Sequence, residues 1–99
     1  QNDIVSHQHM TIKYSTAPTV KVGGSYKTFS VESKCEIDKD AITWTVEDLD
    51  DEDYSSIMQD GYCKIKISKN YDLIGKVFKL NLFYRQVLKD TVQIEVIGL

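Results

Sequence analysis

Two histidines near the start of the chain are the first residues whose spacing suits chemistry. His7 and His9 stand two positions apart, so on a strand both imidazole rings would point to the same face. Such a pair can hold a divalent metal when a third ligand lies nearby. The sequence offers no evident third ligand beside them. We therefore interpret both histidines as solvated residues on an outer strand face.

A run of acidic residues is the second candidate, with six carboxylates between Glu47 and Asp53. Several carboxylates together can wrap a calcium ion. A strong calcium-binding loop also has regularly alternating ligands and a glycine at its sharp turn, and this run has neither. We interpret the run as a solvated loop, and it is the first place to look for a cation site.

Cys35 and Cys63 are the two cysteines of the chain. They are too few for a disulfide-stapled scaffold, and no second pair flanks them to complete a zinc motif. Cys35 is in phase with Val31 and Cys63 with Ile65, so both thiols are expected to face the core. A bridge requires Cα atoms about 4.4–6.8 Å apart. We expect two buried thiols that behave as small apolar groups, and the sequence leaves a bridge between them open.

No constellation in the sequence supports catalysis. The histidines lie together, away from any Cys or Ser on a plausible nucleophile turn. The paired carboxylates lie in the acidic loop, a poor place for a pair with tuned pKa values. Gly23-Gly24 is a turn signal and not a phosphate-binding loop. We predict that the protein is not an enzyme and that it has no catalytic, cofactor-binding or metal-binding residues and no cofactor.

Short runs in which apolar and polar residues alternate make up much of the chain. Side chains on a strand point to opposite faces in turn, so such runs predict half-buried strands. Examples are ITWTV (42–46), CKIKI (63–67), FKLNL (78–82) and VQIEV (92–96). Several strands at this spacing predict two sheets around a shared core. A chain of 99 residues suits a single domain over 1–99, and we predict an all-β sandwich of about seven antiparallel strands.

Turn signals set the boundaries of these elements. The predicted strands are 3–14, 25–35, 41–46, 62–68, 76–84 and 90–97. Ala17-Pro18 interrupts the first strand because proline has no amide hydrogen for the ladder, and Val20 and Val22 resume it. Residues 54–58 fit either a short strand or a helical turn.

Three turns are predicted in the second half. Asp60-Gly61 is a two-residue hairpin signal, since both positions favour positive φ. A short helical turn over 70–75 is expected to close at Gly75. Residues 85–89 are predicted as the turn between the last two strands. Antiparallel pairing of these two strands then sets Lys79 opposite Glu95 on the solvent face.

Aromatic residues divide into core and surface candidates. Trp44 alternates with Ile42 and Val46, which predicts a core position. Tyrosine is enriched where one side of the ring is apolar and the other is wet, as on recognition surfaces. Phe83 lies on the outward parity of its strand, where it forms either a contact surface or a site covered by a loop. The tyrosines are Tyr14, Tyr26, Tyr54, Tyr62, Tyr71 and Tyr84.

Composition narrows the classes of function. The chain has 12 Lys and Arg against 15 Asp and Glu, and its net charge is −3. Its lysines are spread along the strands without a basic stripe, which disfavours nucleic-acid binding. No apolar stretch approaches the ~20 residues that span a bilayer, so we expect no membrane insertion. The chain starts at Gln1 without a methionine, and we interpret it as a piece of a longer polypeptide or a processed product.

A tryptophan on the third of about seven short strands resembles the immunoglobulin-like pattern. Antibody-type domains also carry a cysteine on the second strand and one on the sixth. Here Cys35 falls at the end of the second strand and Cys63 on the fifth, while the sixth has Leu80 and Leu82. The chain therefore resembles the disulfide-free immunoglobulin-like domains of bacteria and phages.

A narrower resemblance covers nearly the whole chain apart from the acidic loop and the first strand. The segments VKVGGSYKTF (20–29), ITWTV (42–46), CKIKI (63–67), NYDLIGK (70–76) and IEVIGL (94–99) are similar to carboxy-terminal domains of phage minor structural proteins from Gram-positive hosts. This resemblance implies a virion or prophage component assembled in the bacterial cytoplasm. It implies other virion proteins or the host cell surface as partners, and no catalytic residue.

Two other functions fit the same fold. One is a stalk or adhesin module on a bacterial cell surface. The other is a carbohydrate-binding β-sandwich, which predicts a row of exposed aromatic residues on one sheet face. The oligomeric state is left open.

Overall fold

Eight strands form where the sequence alternates apolar and polar residues, in a computed structural model that describes residues 9–98. They are β1 (Met10–Lys13), β2 (Thr19–Lys21), β3 (Lys27–Ser33), β4 (Ile42–Glu47), β5 (Tyr54–Gln59), β6 (Tyr62–Ile67), β7 (Val77–Tyr84) and β8 (Val87–Ile97). Single turns of 3-10 helix lie at Lys39–Ala41, Asp51–Asp53 and Tyr71–Leu73. Within the described residues, no helix is long and apolar enough to cross a membrane.

The strands form two four-stranded sheets that pack face to face. Sheet 1 has the order β1-β3-β6-β5, and sheet 2 has the order β2-β8-β7-β4. The pairs are antiparallel except for β2 with β8, which is parallel. The prediction of an all-β fold with two packed sheets is confirmed, with eight strands in place of about seven.

The additional strand comes from the division of the first predicted strand. β1 pairs with β3 in sheet 1, whereas β2 pairs with β8 in sheet 2. Between them Thr16 has a positive φ of 47°, and Pro18 has no amide hydrogen for a ladder. The chain therefore changes sheets at this point. The part of the predicted first strand before His9 lies outside the described residues.

Alternation places one parity of each strand in the core. In β7 the side chains of Phe78, Leu80, Leu82 and Tyr84 are buried, and in β6 those of Cys63, Ile65 and Ile67 are buried. Trp44 is 5 % exposed, which confirms its predicted place in the core. The core therefore lies between the two sheets and uses side chains from both.

Two hairpins have two-residue turns with positive φ at both positions. Asp60 and Gly61 have φ of 53° and 84°, and they join β5 to β6 as predicted. Arg85 and Gln86 have φ of 51° and 70°. The predicted turn over 85–89 is therefore wrong: it occupies two residues, and β8 begins at Val87, ahead of the predicted start at Asp90.

The shorter turn changes which residues face each other between β7 and β8. Lys79 lies opposite Gln93, and Glu95 lies opposite Val77, so the predicted pair of Lys79 with Glu95 is wrong. A register irregularity between Leu82 and Phe83 contributes to the final alignment. The difference from the predicted register is two residues, and a shift by two keeps every side chain on its face.

The two segments of less regular sequence are also resolved. Residues 54–58, which fit a strand or a helical turn, lie in strand β5. The helical turn predicted over 70–75 is present as Tyr71–Leu73, where the Asn70 side chain accepts a hydrogen bond from the Asp72 amide. Gly75 follows with a φ of 93°, as expected for a glycine that ends a helical turn.

Candidate interaction surfaces

The histidine and acidic candidates do not assemble into a site in the part of the chain that the structure describes. His7 lies outside that part, and His9 is exposed. Among residues 9–98, no group of three or more His, Cys, Asp and Glu is placed to hold a metal ion. The run from Glu47 to Asp53 extends from the last residue of β4 through the 3-10 turn Asp51–Asp53. It is mostly exposed, but the side chain of Leu49 is buried.

The acidic loop has an electrostatic effect at its junction with β5. Tyr54 is half-buried where the loop ends. Burial raises the pKa of the Tyr54 hydroxyl above its usual value, and the negative charge of Asp51 and the nearby Cys63 add to the increase. The carbonyl of Asp53 accepts a hydrogen bond from the Ser68 amide at 2.9 Å. The loop is thus fixed to sheet 1 at the start of β5.

The two cysteines are separate free thiols. Cys63 is fully buried, and Cys35 is half-buried beyond the end of β3. The register places Phe29 opposite Cys63. Cys35 is six positions further along the chain, a distance of about 20 Å on an extended strand. The expectation of a buried, apolar thiol is confirmed for Cys63 and wrong for Cys35, and this separation is too great for a bridge.

Trp44 has a polar atom without a partner. Its Nε1 is buried and makes no hydrogen bond to any residue between His9 and Gly98. The residue also lines a shallow cavity of about 250 Å³ between β4 and the β5–β6 hairpin, together with Ile42, Met58 and Gly61. An unpaired buried donor costs about 1–3 kcal/mol, so Trp44 stabilises the fold through its ring and not through its N–H group.

Asn81 forms a polar network on the outer face of sheet 2. Its Nδ2 donates to Thr45 Oγ1 at 3.1 Å and to Glu47 Oε2 at 2.6 Å. Its Oδ1 accepts from Thr91 Oγ1 at 2.7 Å. Asn81 is only 3 % exposed although its parity is outward. The network joins β4, β7 and β8, so its function is to hold sheet 2 together.

The outer face of sheet 1 combines lysines with tyrosines, and we call it the lysine–tyrosine face: Tyr26, Tyr62, Lys64 and Lys66. The Nζ of Lys64 lies 5.4 Å from the centroid of the Tyr62 ring, and the Nζ of Lys66 lies 5.7 Å from that of Tyr26. Cation–π contacts at such distances are attractive. Tyr26 and Lys66 are exposed, and the other two are half-buried. The face thus holds amphipathic rings and cations in fixed positions.

The remaining aromatic candidates have more than one role. Tyr84 is buried, and its hydroxyl accepts a hydrogen bond from the Asp38 amide at 3.0 Å. Tyr14 packs against Phe29 with ring centroids 6.2 Å apart. Tyr71 is exposed. Phe83 is half-buried opposite Leu88. Its exposure is intermediate between the two predicted alternatives, an exposed contact surface and a site covered by a loop.

The two lateral sides of the sandwich differ. On one side the chain crosses from β1 to β2, and Val22 forms a bridge with Ile67 of sheet 1. The amide of Ile12 in β1 donates to the Asp90 carboxylate of β8 at 2.8 Å. On the other side β4 and β5 are the edge strands of their sheets, and Met58 is 41 % exposed between them. This second side is the open side of the sandwich.

The structure therefore brings Tyr26 and Tyr62 together with Lys64 and Lys66. Among residues 9–98 it gathers no histidine, acidic and cysteine candidates into a metal-binding group. Sequence reasoning identified the tyrosines as a class but missed the lysines above them. The parity shared by Tyr62 and Lys64 was a usable signal. No protein-family model and no curated protein match the chain.

Proposed function

We propose that the sandwich is an immunoglobulin-like domain. The order β1-β3-β6-β5 facing β2-β8-β7-β4 supports this assignment. It agrees with the two-sheet arrangement of that fold when β1 and β2 are taken as one strand shared between sheets. The buried Trp44 on β4 also supports it, because this fold has a core tryptophan on the corresponding strand.

We further propose that the domain is a non-enzymatic accessory part of a phage or prophage virion protein that acts through protein contacts. The lysine–tyrosine face carries this proposal. Tyrosine rings with a polar tip are typical of recognition surfaces, and here a lysine Nζ lies over each of two rings. They lie on a sheet face, which suits contact with another protein surface better than the enclosure of a small substrate.

The same face disfavours the carbohydrate-binding alternative. Sugars stack on the exposed faces of aromatic rings. Here the Nζ atoms of Lys64 and Lys66 lie over the rings of Tyr62 and Tyr26, so a sugar would have to displace a cation from each ring. A protein partner can instead use the lysines for hydrogen bonds and the ring edges for packing.

Location tests the biological context. After prophage induction in the source bacterium, mass spectrometry of purified particles should detect peptides of this chain. Peptides found in the cell-wall fraction and missing from particles would support the alternative, a cell-surface stalk or adhesin module, and would contradict the virion proposal.

A charge-reversal experiment tests the face itself. Lys64→Glu with Lys66→Glu should reduce incorporation or adsorption of the particles, because it reverses the charge beside Tyr62 and Tyr26. Lys34→Glu with Lys76→Glu makes the same change in net charge at exposed positions outside this face, and it should leave both properties unchanged. Equal behaviour of the two variants would refute a role for the lysine–tyrosine face.

A further inference from the structure

Strand β5 is an edge strand without the usual protection. It has six residues, Tyr54–Gln59, and pairs with β6 along its whole length without a register shift. Its sequence, YSSIMQ, contains no charged residue, proline or glycine. Natural proteins block exposed edges with charges, prolines or bulges, because a free edge is a template for a further strand. β5 has none of these devices.

The strands on the opposite side of the sandwich are blocked. The amide of Ile12 in β1 donates to the Asp90 carboxylate, so this edge already has a partner group. β2 is three residues long and follows Pro18. Protection on this side leaves β4 and β5 as the free edges. β4 carries the charged Glu47, whereas β5 has no charged residue, so β5 is the less protected of the two.

Side chains at β5 also favour the addition of a strand. Ile57 is 37 % exposed on the outer face of sheet 1, and Met58 is 41 % exposed on the core-facing side. A strand laid along β5 would cover both residues. Apolar burial of this kind adds about 25 cal/mol per Å² to the main-chain hydrogen bonds.

Charge at the ends of β5 indicates the chemistry of the incoming strand. Asp50, Asp51, Glu52 and Asp53 directly precede β5, and Asp60 follows it. The nearest cations on the outer face are on β6, and the Nζ of Lys66 leans over Tyr26 on the far side from β5. The edge is thus uncharged in its centre and strongly negative at its Tyr54 end, whereas at its other end Lys39 lies against the turn that contains Asp60.

We propose that β5 binds an extended segment of another polypeptide in antiparallel orientation, as a fifth strand of sheet 1. The segment has uncharged residues in its centre and lysine or arginine at its carboxyl end. An antiparallel segment ends beside Tyr54, where its cations meet the acidic loop. All three strand pairs of sheet 1 are antiparallel, so an antiparallel fifth strand continues the same pattern.

A second copy of the chain is a poorer occupant. Antiparallel pairing of two β5 strands sets the acidic loop of one copy beside Asp60 of the other, at both ends of the pair. Parallel pairing aligns the two acidic loops directly. Like charges placed opposite each other across strands are destabilising, so parallel pairing opposes self-association. Antiparallel pairing offers the acidic loop no net positive charge, because Lys39 beside Asp60 only balances that carboxylate.

The inference rests on the proposed role as a contact module, and a pair of probe peptides tests it. One is an acetylated peptide of alternating threonine and valine with two carboxy-terminal lysines, and the other has glutamates in place of the lysines. The lysine peptide should slow hydrogen exchange of the outward amides of β5, measured by NMR. Its affinity should exceed that of the glutamate peptide about ten-fold, equivalent to about 1.4 kcal/mol, and should fall with added salt.

Ile57→Lys is the matching variant of the protein, because it places a charge in the centre of the edge strand. It should abolish protection by the lysine peptide. Val77→Lys introduces the same charge at an exposed strand position of sheet 2 and should preserve that protection. Circular dichroism and denaturation confirm that both variants are folded.

Any one of three peptide-binding results would overturn the inference: no protection of β5 by the lysine peptide, equal affinity for the two peptides, or unchanged binding to Ile57→Lys. A concentration-dependent dimer that Ile57→Lys dissociates would assign the edge to a second copy and overturn it as well. If charge reversal at Lys64 and Lys66 reduces particle incorporation while Ile57→Lys does not, the proposed function stands and the β5 inference fails.

Discussion

Cys63 is a fully buried thiol in the core of the sandwich. It lies opposite Phe29 on one neighbouring strand and Met58 on the other, with no solvent exposure. Burial raises the pKa of its thiol from 9.0 to about 12. A thiol that resists ionisation is a poor nucleophile, so Cys63 behaves as an apolar residue.

This pKa predicts a loss of stability in alkali. The unfolded chain loses the Cys63 proton near pH 9.0, whereas the folded chain keeps it to about pH 12. The folded state thus binds more protons between these values, and the free energy of unfolding falls as pH rises through the interval. The raised pKa of Tyr54 acts in the same direction.

Denaturant titrations across this pH range measure the effect. Cys63→Ala should show a shallower fall than the wild type, even though its stability at neutral pH is lower because of the cavity it creates. Cys35→Ala, which alters the half-buried thiol outside the core, is the control and should keep the wild-type slope. A Cys63→Ala slope equal to that of the wild type would contradict the assignment.

Two substitutions of Trp44 separate the contribution of its ring to stability from that of its N–H group. Trp44→Ala should cost about 3–5 kcal/mol because it empties the core. Trp44→Phe should cost far less, because it keeps an aromatic ring and removes the unpaired Nε1 donor with its penalty of about 1–3 kcal/mol. Denaturation followed by circular dichroism measures both free energies of unfolding, and equal losses for the two variants would contradict a role of the ring in stability.

At the scale of elements, the two hairpin turns predict substitutions of opposite sign. Gly61→Ala should destabilise the domain by about 1–2 kcal/mol, the cost of a left-handed residue with a side chain. Its Cβ would also lie 3.3 Å from Ile42 Cδ1. Gln86→Gly should stabilise it by up to about 1 kcal/mol, because Gln86 has a φ of 70° and glycine adopts this left-handed conformation without the cost that a side chain brings. Thermal denaturation of both variants checks the signs, and the same sign for both would contradict this account.

Elements were predictable from the sequence wherever a local pattern decides them. Alternation gave the correct core face for β4, β6 and β7, and Asp60-Gly61 gave the correct turn. The Arg85-Gln86 turn was missed because neither residue type favours positive φ, and the error moved the register by two residues. The split between β1 and β2 depends on which sheet each half pairs with, and no local pattern contains that information.

The candidate surface was less predictable than the fold. Tyr26 and Lys66 meet only because β3 and β6 are neighbours, which a single strand does not reveal. The burial of Asn81 was missed for the same reason, since its partners Thr45 and Thr91 lie on two other strands. Sequence alternation treats every outward polar residue alike.

At the scale of the whole molecule, Asp90 connects the two sheets. Its carboxylate accepts from the amide of Ile12 in sheet 1 and from its neighbour Thr91 in sheet 2, both at 2.8 Å. Asp90→Ala should cost about 1–3 kcal/mol, because it leaves a partly buried amide without an acceptor. Hydrogen exchange in β1 should accelerate.

Asp90→Asn retains an acceptor oxygen and serves as the control. It should preserve most of the protection of the Ile12 amide in the same exchange measurement. If the Ala and Asn variants exchange at wild-type rates, the carboxylate does not fasten β1 to sheet 2.

The parallel pairing of β2 with β8 has a mechanical consequence. β2 is near the start of the described chain and β8 near its end, and Thr19, Val20 and Lys21 lie beside Glu95, Val96 and Ile97. Tension applied to the chain before β2 and after β8 pulls these two parallel strands in opposite directions along their length. The hydrogen bonds between them therefore bear the load together. Force applied through residues 76 and 98 instead unzips antiparallel β7 and β8 one bond at a time. Single-molecule pulling should therefore record a higher rupture force in the first geometry than in the second.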